Sequence, residues 1–148
     1  VDAIHILAKA GGTQSAGALE QTLVELATVV SDPTPKLILA DELEAITEPG
    51  AGARIIAGML LAARAQKNTS MMLVTHLAPA IIEASGVDDF RVDGIEARGL
   101  DADLELIVDR TPIRNHLARS TPELIVKRLV ERSEGHAKSL FDDILRMF

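Results

Sequence analysis

The chain has 148 residues, of which 47% are hydrophobic, and this composition suits a globular protein with a core of ordinary size. Its net charge of −7 argues against a segment that grips a nucleic-acid backbone by itself, because such binding needs clustered Lys and Arg. An aromatic content of 2% leaves almost no surface on which single-stranded bases could stack.

Two further exclusions concern compartment and membrane. The absence of Cys excludes disulfides and thiolate metal sites, and it fits a reducing cytoplasm. No apolar run reaches the roughly 18 residues of a membrane-spanning helix. We therefore expect a cytoplasmic protein without a membrane partner.

Strands and helices alternate in the first part of the chain. Short apolar runs predict strands at residues 3–8, 36–41 and 71–74. Helical spacing of apolar residues predicts helices at residues 15–30, 52–67 and 79–84, and residues 44–52 read as a loop. This alternation predicts a mainly parallel sheet with flanking helices. The middle strand is an unbroken apolar run, which predicts that it is covered on both faces.

The pattern changes after Gly86. Residues 90–97 and 104–108 read as two strands with a tight connection at residues 99–101, which predicts an antiparallel hairpin at the edge of the sheet. Residues 120–123 (S-T-P-E) resemble a capping box that opens a helix, and a last helix follows. The predicted fold class is therefore α/β, with an edge hairpin and a C-terminal helix pair.

The run K-L-I-L-A-D-E-L at residues 36–43 carries the main chemical signal. Asp41 and Glu42 end an apolar strand, which is a Walker B pattern. One carboxylate at a strand end can hold Mg²⁺ while water and phosphate fill the other positions, and the adjacent Glu can reach an attacking water. Taken alone, the pair fits two solvated acids at a strand end equally well.

Three other positions gain meaning from their places in this order. His76 follows the next predicted strand. The short β-α-β spacing places the end of that strand beside the end of the strand that carries Asp41. A lone strand-end His is more often structural. Ser15 opens a helix where an anion could bind, or it is an ordinary N-cap. The loop from Thr47 to Gly52 is an interface loop or a linker.

Taken together, these pieces resemble the ATPase domain of the MutS family, within the ABC-type ATPases. Residues 1–4 (V-D-A-I) match the family's V-D-x-I strand. Residues 15–21 (S-A-G-A-L-E-Q) share Ser and Glu with its S-T-F-x-x-E-M signature. Residues 41–52 (D-E-L-E-A-I-T-E-P-G-A-G) share D-E-L, Thr and the final Gly with D-E-L-G-R-G-T-S-x-x-D-G, and Thr75-His76 match its T-H switch. The departures resemble a divergent branch, such as the archaeal MutS-related proteins.

The resemblance implies ATP and Mg²⁺ as cofactors. Asp41 would hold Mg²⁺ directly or through water, Glu42 would activate water, and His76 would sense the γ-phosphate. Ser15 and Thr47 would bind nucleotide where two copies of the protein meet in a homodimer. DNA, in a repair or recombination role such as mismatch repair, would be handled by domains outside this chain.

The resemblance also implies that this chain carries only part of an ATP-binding site. A Walker A loop, G-x-x-x-x-G-K-S/T, is absent, and the chain enters a predicted strand almost at Val1. We therefore expect the C-terminal half of a P-loop ATPase domain in a longer protein, inactive by itself. Residues 1–110 would form the Walker B, signature and His-switch part, and residues 111–148 a helical dimerisation element.

Two alternatives stay open. A Rad50/SMC-like ABC ATPase head or a transporter cassette would carry an L-S-G-G-Q-like signature, of which residues 11–14 (G-G-T-Q) are a faint echo. A non-catalytic dimerisation module is the alternative from another class.

Overall fold

A computed structural model describes residues 1–8, 16–43 and 47–148 of the chain. These residues form two compact units, Val1–Phe90 and Arg91–Phe148. Within the described ranges there are five helices and a three-stranded parallel sheet, so the predicted α/β class and its parallel sheet are confirmed. The predicted functional boundary at residue 110 does not coincide with the boundary between these two units, and it stays a prediction.

The first unit follows the predicted β-α-β-α-β-α order. Its strands are β1 (Ala3–Ala8), β2 (Lys36–Asp41) and β3 (Thr69–Val74), and its helices are α1 (Ala16–Ser31), α2 (Pro49–Arg64) and α3 (Ala78–Ser85). The strands lie in the order β1-β2-β3, all parallel. Helix α2 begins at Pro49, inside the predicted loop, because proline suits the first turn of a helix, where its missing N–H costs nothing.

All three helices contribute to a core on one face of this sheet. Leu7, Ile38 and Ala40 point into it from the strands, and each is no more than 3% exposed. The helices add apolar side chains from α1, α2 and α3, among them Leu26, Val29, Ile56, Met59 and Ile81. Right-handed crossovers that advance in one direction place their helices on the same side, which explains this arrangement.

The opposite face carries apolar side chains that the described residues leave uncovered. Ile4 and Ile6 are 63% and 71% exposed, and Met72 and Val74 are both 62% exposed. Strand register pairs Ile4 with half-buried Leu37, and it pairs Ile6 and Met72 with half-buried Leu39, while Val74 pairs with Asp41. We call the six apolar residues among these the open sheet face. The prediction that β2 is covered on both faces is therefore wrong for the described part of the chain.

Lys36 anchors the amino end of the sheet from a buried position. It is only 1% exposed. Its Nζ donates to the backbone oxygen of Asp32 at 2.6 Å and to Oγ1 of Thr69 at 3.3 Å. Its backbone N–H donates to the Asn68 oxygen at 2.8 Å. A buried ammonium needs such partners, and here they join the segment before β2 to the start of β3.

The second unit contains four short strands, β4 (Asp93–Gly94), β5 (Ala97–Leu100), β6 (Leu106–Val108) and β7 (Ile113–Arg114). Strand β5 pairs with β6 and β4 pairs with β7, both antiparallel. The predicted hairpin therefore exists, but as a separate two-stranded sheet and not as an edge of the parallel one.

The hairpin connection also lies later than predicted. Gly99, predicted in the turn, belongs to β5 and adopts a φ of 155°. The turn begins at Asp101, whose Oδ1 accepts the backbone N–H groups of Asp103 and Glu105 at 2.8 and 2.9 Å. An aspartate that caps its own turn can place a connection more firmly than a glycine does.

The C-terminal helix pair is confirmed as α4 (Pro122–Arg132) and α5 (Gly135–Leu145). The predicted capping box is not formed. Thr121 occupies the N-cap position without a side-chain hydrogen bond to the helix. Glu123 instead forms an ion pair with Arg119 at 2.9 Å.

A clamp at Glu96 holds two segments of the second unit together. One carboxylate oxygen lies 2.9 Å from Nε2 of His116, and the other accepts the backbone N–H of Arg119 at 2.9 Å. These contacts, the Arg119 hydrogen bond first, lower the pKa of Glu96 below its usual value. Beside them, Gly94 approaches the same returning segment so closely that a Cβ would lie 2.6 Å from the His116 carbonyl oxygen.

We expect Gly94→Ala to lower the free energy of unfolding by about 1–3 kcal/mol, because the added methyl group would overpack this contact. Gly58→Ala is the control. Nothing lies within 4 Å of a Cβ at Gly58, which is inside helix α2. There alanine should raise stability by about 0.5–1 kcal/mol. Denaturant unfolding of both variants measures the difference, and equal effects would contradict the close approach.

Glu96→Gln should destabilise the chain at neutral pH and lose this effect in acid. A carboxylate whose folded pKa is depressed stabilises the fold above its unfolded pKa, near 4.5, and loses that contribution as pH falls through the folded value. Thermal unfolding from pH 7 down to pH 3 should therefore show the two curves converging below about pH 4.5. Glu131→Gln, at an exposed position on α4, is the control and should follow the parent at every pH.

Candidate functional site

The carboxyl ends of the three strands meet in line. Asp41, the last residue of β2, is paired in register with Ala8 on one side and Val74 on the other. The backbone N–H of Glu42 then donates to the Val74 oxygen at 3.3 Å. The register thus places the Asp41-Glu42 pair beside the strand that leads into Thr75 and His76, at the edge where α/β sheets bind ligands.

Asp41 lies at the end of the row that forms the open sheet face. Side chains alternate along a strand, so Leu37, Leu39 and Asp41 project to the same side. Asp41 is exposed. An exposed carboxylate at a strand end suits a Mg²⁺ ion that takes its other ligands from water and phosphate. Among the described residues, no group of three or more acidic or His side chains is placed to hold a metal ion.

Glu42 occupies a backbone conformation that is unexpected for a glutamate. Its φ is 52°, in the left-handed region, where a residue with a Cβ carries a cost of roughly 1–2 kcal/mol. The next residue, Leu43, is 1% exposed and belongs to the core. The chain therefore turns sharply between the exposed side chain of Glu42 and the buried side chain of Leu43. Strain of this kind is found disproportionately at functional sites.

Thr75 and His76 form the turn between β3 and α3. Oγ1 of Thr75 accepts the backbone N–H of Leu77 at 3.0 Å, which closes a short hydroxyl turn before the helix begins. His76 is exposed within this turn. The threonine of the T-H pair thus shapes the backbone, and the histidine is presented to solvent beyond the end of β3.

The other predicted site residues divide into two groups. Thr47 is described and half-buried, two residues before α2 begins. Ser15 lies outside the described residues. The structure therefore brings together the strand ends that carry Asp41, Glu42 and His76, and the proposed roles of Ser15 and Thr47 stay predictions.

The strain at Glu42 gives a direct test. Glu42→Gly and Glu42→Ala both remove the carboxylate, but only glycine removes the Cβ that the left-handed backbone disfavours. We expect the glycine variant to exceed the alanine variant in unfolding free energy by about 1 kcal/mol. Urea unfolding compares the two. Glu131→Gly and Glu131→Ala, at an exposed position on α4 without positive φ, form the control pair, in which glycine should not gain.

Comparison with known proteins gives one informative result. The chain is 42% identical over all 148 residues to DNA-binding protein MutS2 from Pyrococcus furiosus. It spans about a quarter of that protein's length, 26%. The chain matches no model of a known protein family. A similarity of this extent over the whole chain supports a relationship to the MutS family.

Proposed function

We propose that this chain is the Walker B, signature and His-switch part of the ATPase domain of a MutS-like DNA-binding protein. The observation that carries the proposal is the parallel register, which sets the Asp41-Glu42 pair beside the end of β3 and the turn that holds His76. The left-handed backbone at Glu42 supports it independently. The similarity to a MutS2 protein supports the MutS-like part of this assignment.

The proposed reaction is hydrolysis of ATP to ADP and inorganic phosphate. Bound Mg²⁺, held by Asp41, would neutralise charge on the phosphates. The Glu42 carboxylate accepts a proton from the attacking water, whose oxygen bonds to the terminal phosphorus as the bond to the bridging oxygen breaks. The His76 ring donates a hydrogen bond to a terminal phosphoryl oxygen, so that it responds to the presence of that group.

This chain supplies only part of such a site. Its 148 residues contain no G-x-x-x-x-G-K-S/T loop to hold the phosphates. The related protein is about four times as long, which leaves ample polypeptide for that loop. We therefore propose that nucleotide binds only in a longer protein, with Ser15 and Thr47 at the interface of a homodimer.

The C-terminal helices support a role in dimerisation. Leu140 is 56% exposed, and Ile125, Leu129 and Ile144 on the same helix pair are each more than a third exposed. Ile125 and Leu129 on α4, and Leu140 and Ile144 on α5, are each four residues apart, so each pair lies on one face of its helix. Exposed apolar rows of this kind are typical of surfaces that bind another protein. DNA contacts, proposed from the relative's description as DNA-binding, would come from other parts of the protein, because this chain carries a net charge of −7.

Glu42→Gln tests the assignment in what we call the exchange protein, the Pyrococcus relative with its matching quarter replaced by these 148 residues. Loss of a general base should lower kcat by about 10²- to 10⁴-fold while the Kd for ATP changes by no more than about threefold. Steady-state phosphate release and fluorescent-nucleotide titration measure the two constants.

Glu83→Gln, at an exposed position on α3 outside the proposed machinery, is the matched control and should leave both constants unchanged. Turnover that survives Glu42→Gln would refute the role of Glu42. Tight binding of the fluorescent nucleotide by the 148-residue chain alone would refute the claim that it lacks a phosphate cradle.

A further inference from the structure

We propose that Arg54 is a catalytic residue in trans, whose guanidinium contacts the terminal phosphoryl group of ATP bound to a second copy of the protein. This role rests on the proposed function, because it adds a cation to hydrolysis at the homodimer interface. Neither the sequence motifs nor the proposed reaction gives Arg54 a part to play.

Arg54 reaches back from the second turn of α2 to the first. It is the sixth residue of this helix, which begins at Pro49, and it is exposed. One guanidinium nitrogen, Nη1, lies 3.9 Å from the position that a Cβ would take at Gly50. Side chains on a helix lean toward its amino end, and residues four apart share a face. The guanidinium therefore lies beside the bare backbone of Gly50, at the amino-terminal turn of α2.

The guanidinium of Arg54 forms no ion pair with any carboxylate in the described part of the chain. Arg64, at the other end of the same helix, binds both carboxylate oxygens of Asp89 and lies 5.4 Å above the ring centroid of Phe90. A cation at the amino end of a helix is also opposed by the helix dipole. The charge of Arg54 is thus unbalanced within the described chain, which suits an anionic ligand from outside it.

Arg54 lies near the edge of the sheet that carries Asp41 and Glu42. A crossover helix between parallel strands begins at the carboxyl edge and returns to the amino edge. Helix α2 follows β2 and leads back to Asn68, whose backbone oxygen accepts the N–H of Lys36 at the start of β2. The first turn of α2 is therefore at the carboxyl edge, where α/β sheets bind ligands.

The two faces of the sheet favour the site of a second copy over the site of the same chain. Asp41 projects to the open sheet face, whereas α2 packs on the opposite face, where Ile56 and Met59 enter the core. A phosphate held with Mg²⁺ at Asp41 would lie across the sheet from the helix that carries Arg54. The guanidinium instead lies against the segment from Thr47 to Gly52, which is the proposed dimer interface.

A guanidinium on the terminal phosphoryl group would stabilise charge that develops during hydrolysis. The water oxygen bonds to the terminal phosphorus, its proton passes to Glu42, and the electron pair of the broken bond leaves with ADP. Arg54 would donate two parallel N–H hydrogen bonds to terminal phosphoryl oxygens. An arginine supplied by a second protein raises kcat by about 10³- to 10⁵-fold in other nucleotide hydrolases.

Arg54→Ala in the exchange protein is the first test. Its kcat should fall by about 10³-fold. The Kd for ATP should change by no more than about threefold, because the contact strengthens in the transition state. Arg54→Lys should recover part of the lost activity, since lysine keeps the charge but not the planar fork. Steady-state phosphate release and fluorescent-nucleotide titration measure the two constants.

Lys67→Ala is the matched control for this loss of charge. Lys67 is exposed and lies between α2 and β3, at the opposite edge of the sheet. Its replacement should leave both constants unchanged. Hydrolysis that depends on Glu42 but not on Arg54 would overturn the role of Arg54 alone. An exchange protein that does not hydrolyse ATP would overturn the proposed function, and the role of Arg54 with it.

Mixed dimers test whether Arg54 acts in trans. Exchange-protein subunits with Arg54→Ala and with Glu42→Gln carry different affinity tags and are purified together as heterodimers. One site then combines an intact Glu42 with an intact Arg54 of the other subunit, so about half of the parent activity should return. Activity that stays at the level of the two variants would overturn the proposal, as would an exchange protein that remains monomeric with ATP bound.

Urea unfolding of the 148-residue chain gives a test that does not need the exchange protein to fold. Arg54→Ala should leave the urea midpoint at or above that of the parent, because alanine favours the helix and no ion pair is lost. Arg64→Ala, which loses its contacts with Asp89 and Phe90, should lower the midpoint. A lower midpoint for Arg54→Ala would show that Arg54 is held within the chain and would overturn the proposal.

Discussion

The parallel register of β1, β2 and β3 is the constraint on which the rest of the first unit depends. Backbone hydrogen bonds align Ala8, Asp41 and Val74 across the sheet. Because side chains alternate, a slip of one residue in β2 would turn Ile38 out of the core and Leu39 into it. The same slip would separate the acidic pair from the end of β3. The same strand register therefore determines both the packing of the core and the geometry of the site.

Lys36 holds the other end of the same strand. A buried ammonium would ordinarily be unfavourable, but Nζ donates to the Asp32 oxygen and to Thr69 Oγ1. These contacts connect the amino ends of β2 and β3 through side chains, in addition to the backbone pairing. Slipping the register would strand this charge without acceptors. Lys36 therefore stabilises the native strand register and makes slipped registers less favourable.

Much of this arrangement could be predicted from sequence, for physical reasons. Apolar runs that end in polar residues located all three parallel strands, and helical periodicity located their crossovers. The position of Gly99 in a strand could not be predicted, because Asp101 fixes the turn through backbone contacts that composition does not reveal. The φ of Glu42 was equally hidden, since glutamate is not a residue that signals a left-handed turn.

The uncovered face of β2 shows a different limit. An apolar run such as Leu37–Leu39 indicates that a strand is suited to burial on both faces, but it does not indicate which polypeptide covers each face. The structure shows that the described residues cover only one face of β2, the face that carries Ile38 and Ala40.

The left-handed turn at Glu42 has an evolutionary consequence. Glycine or asparagine would fit this backbone at lower energy, so selection for stability alone favours replacing the glutamate. The proposed role of the carboxylate in hydrolysis would oppose that drift. Position 42 is therefore a useful position to compare among relatives: under the proposed function, relatives that hydrolyse ATP keep glutamate, and relatives that carry glycine there do not hydrolyse it.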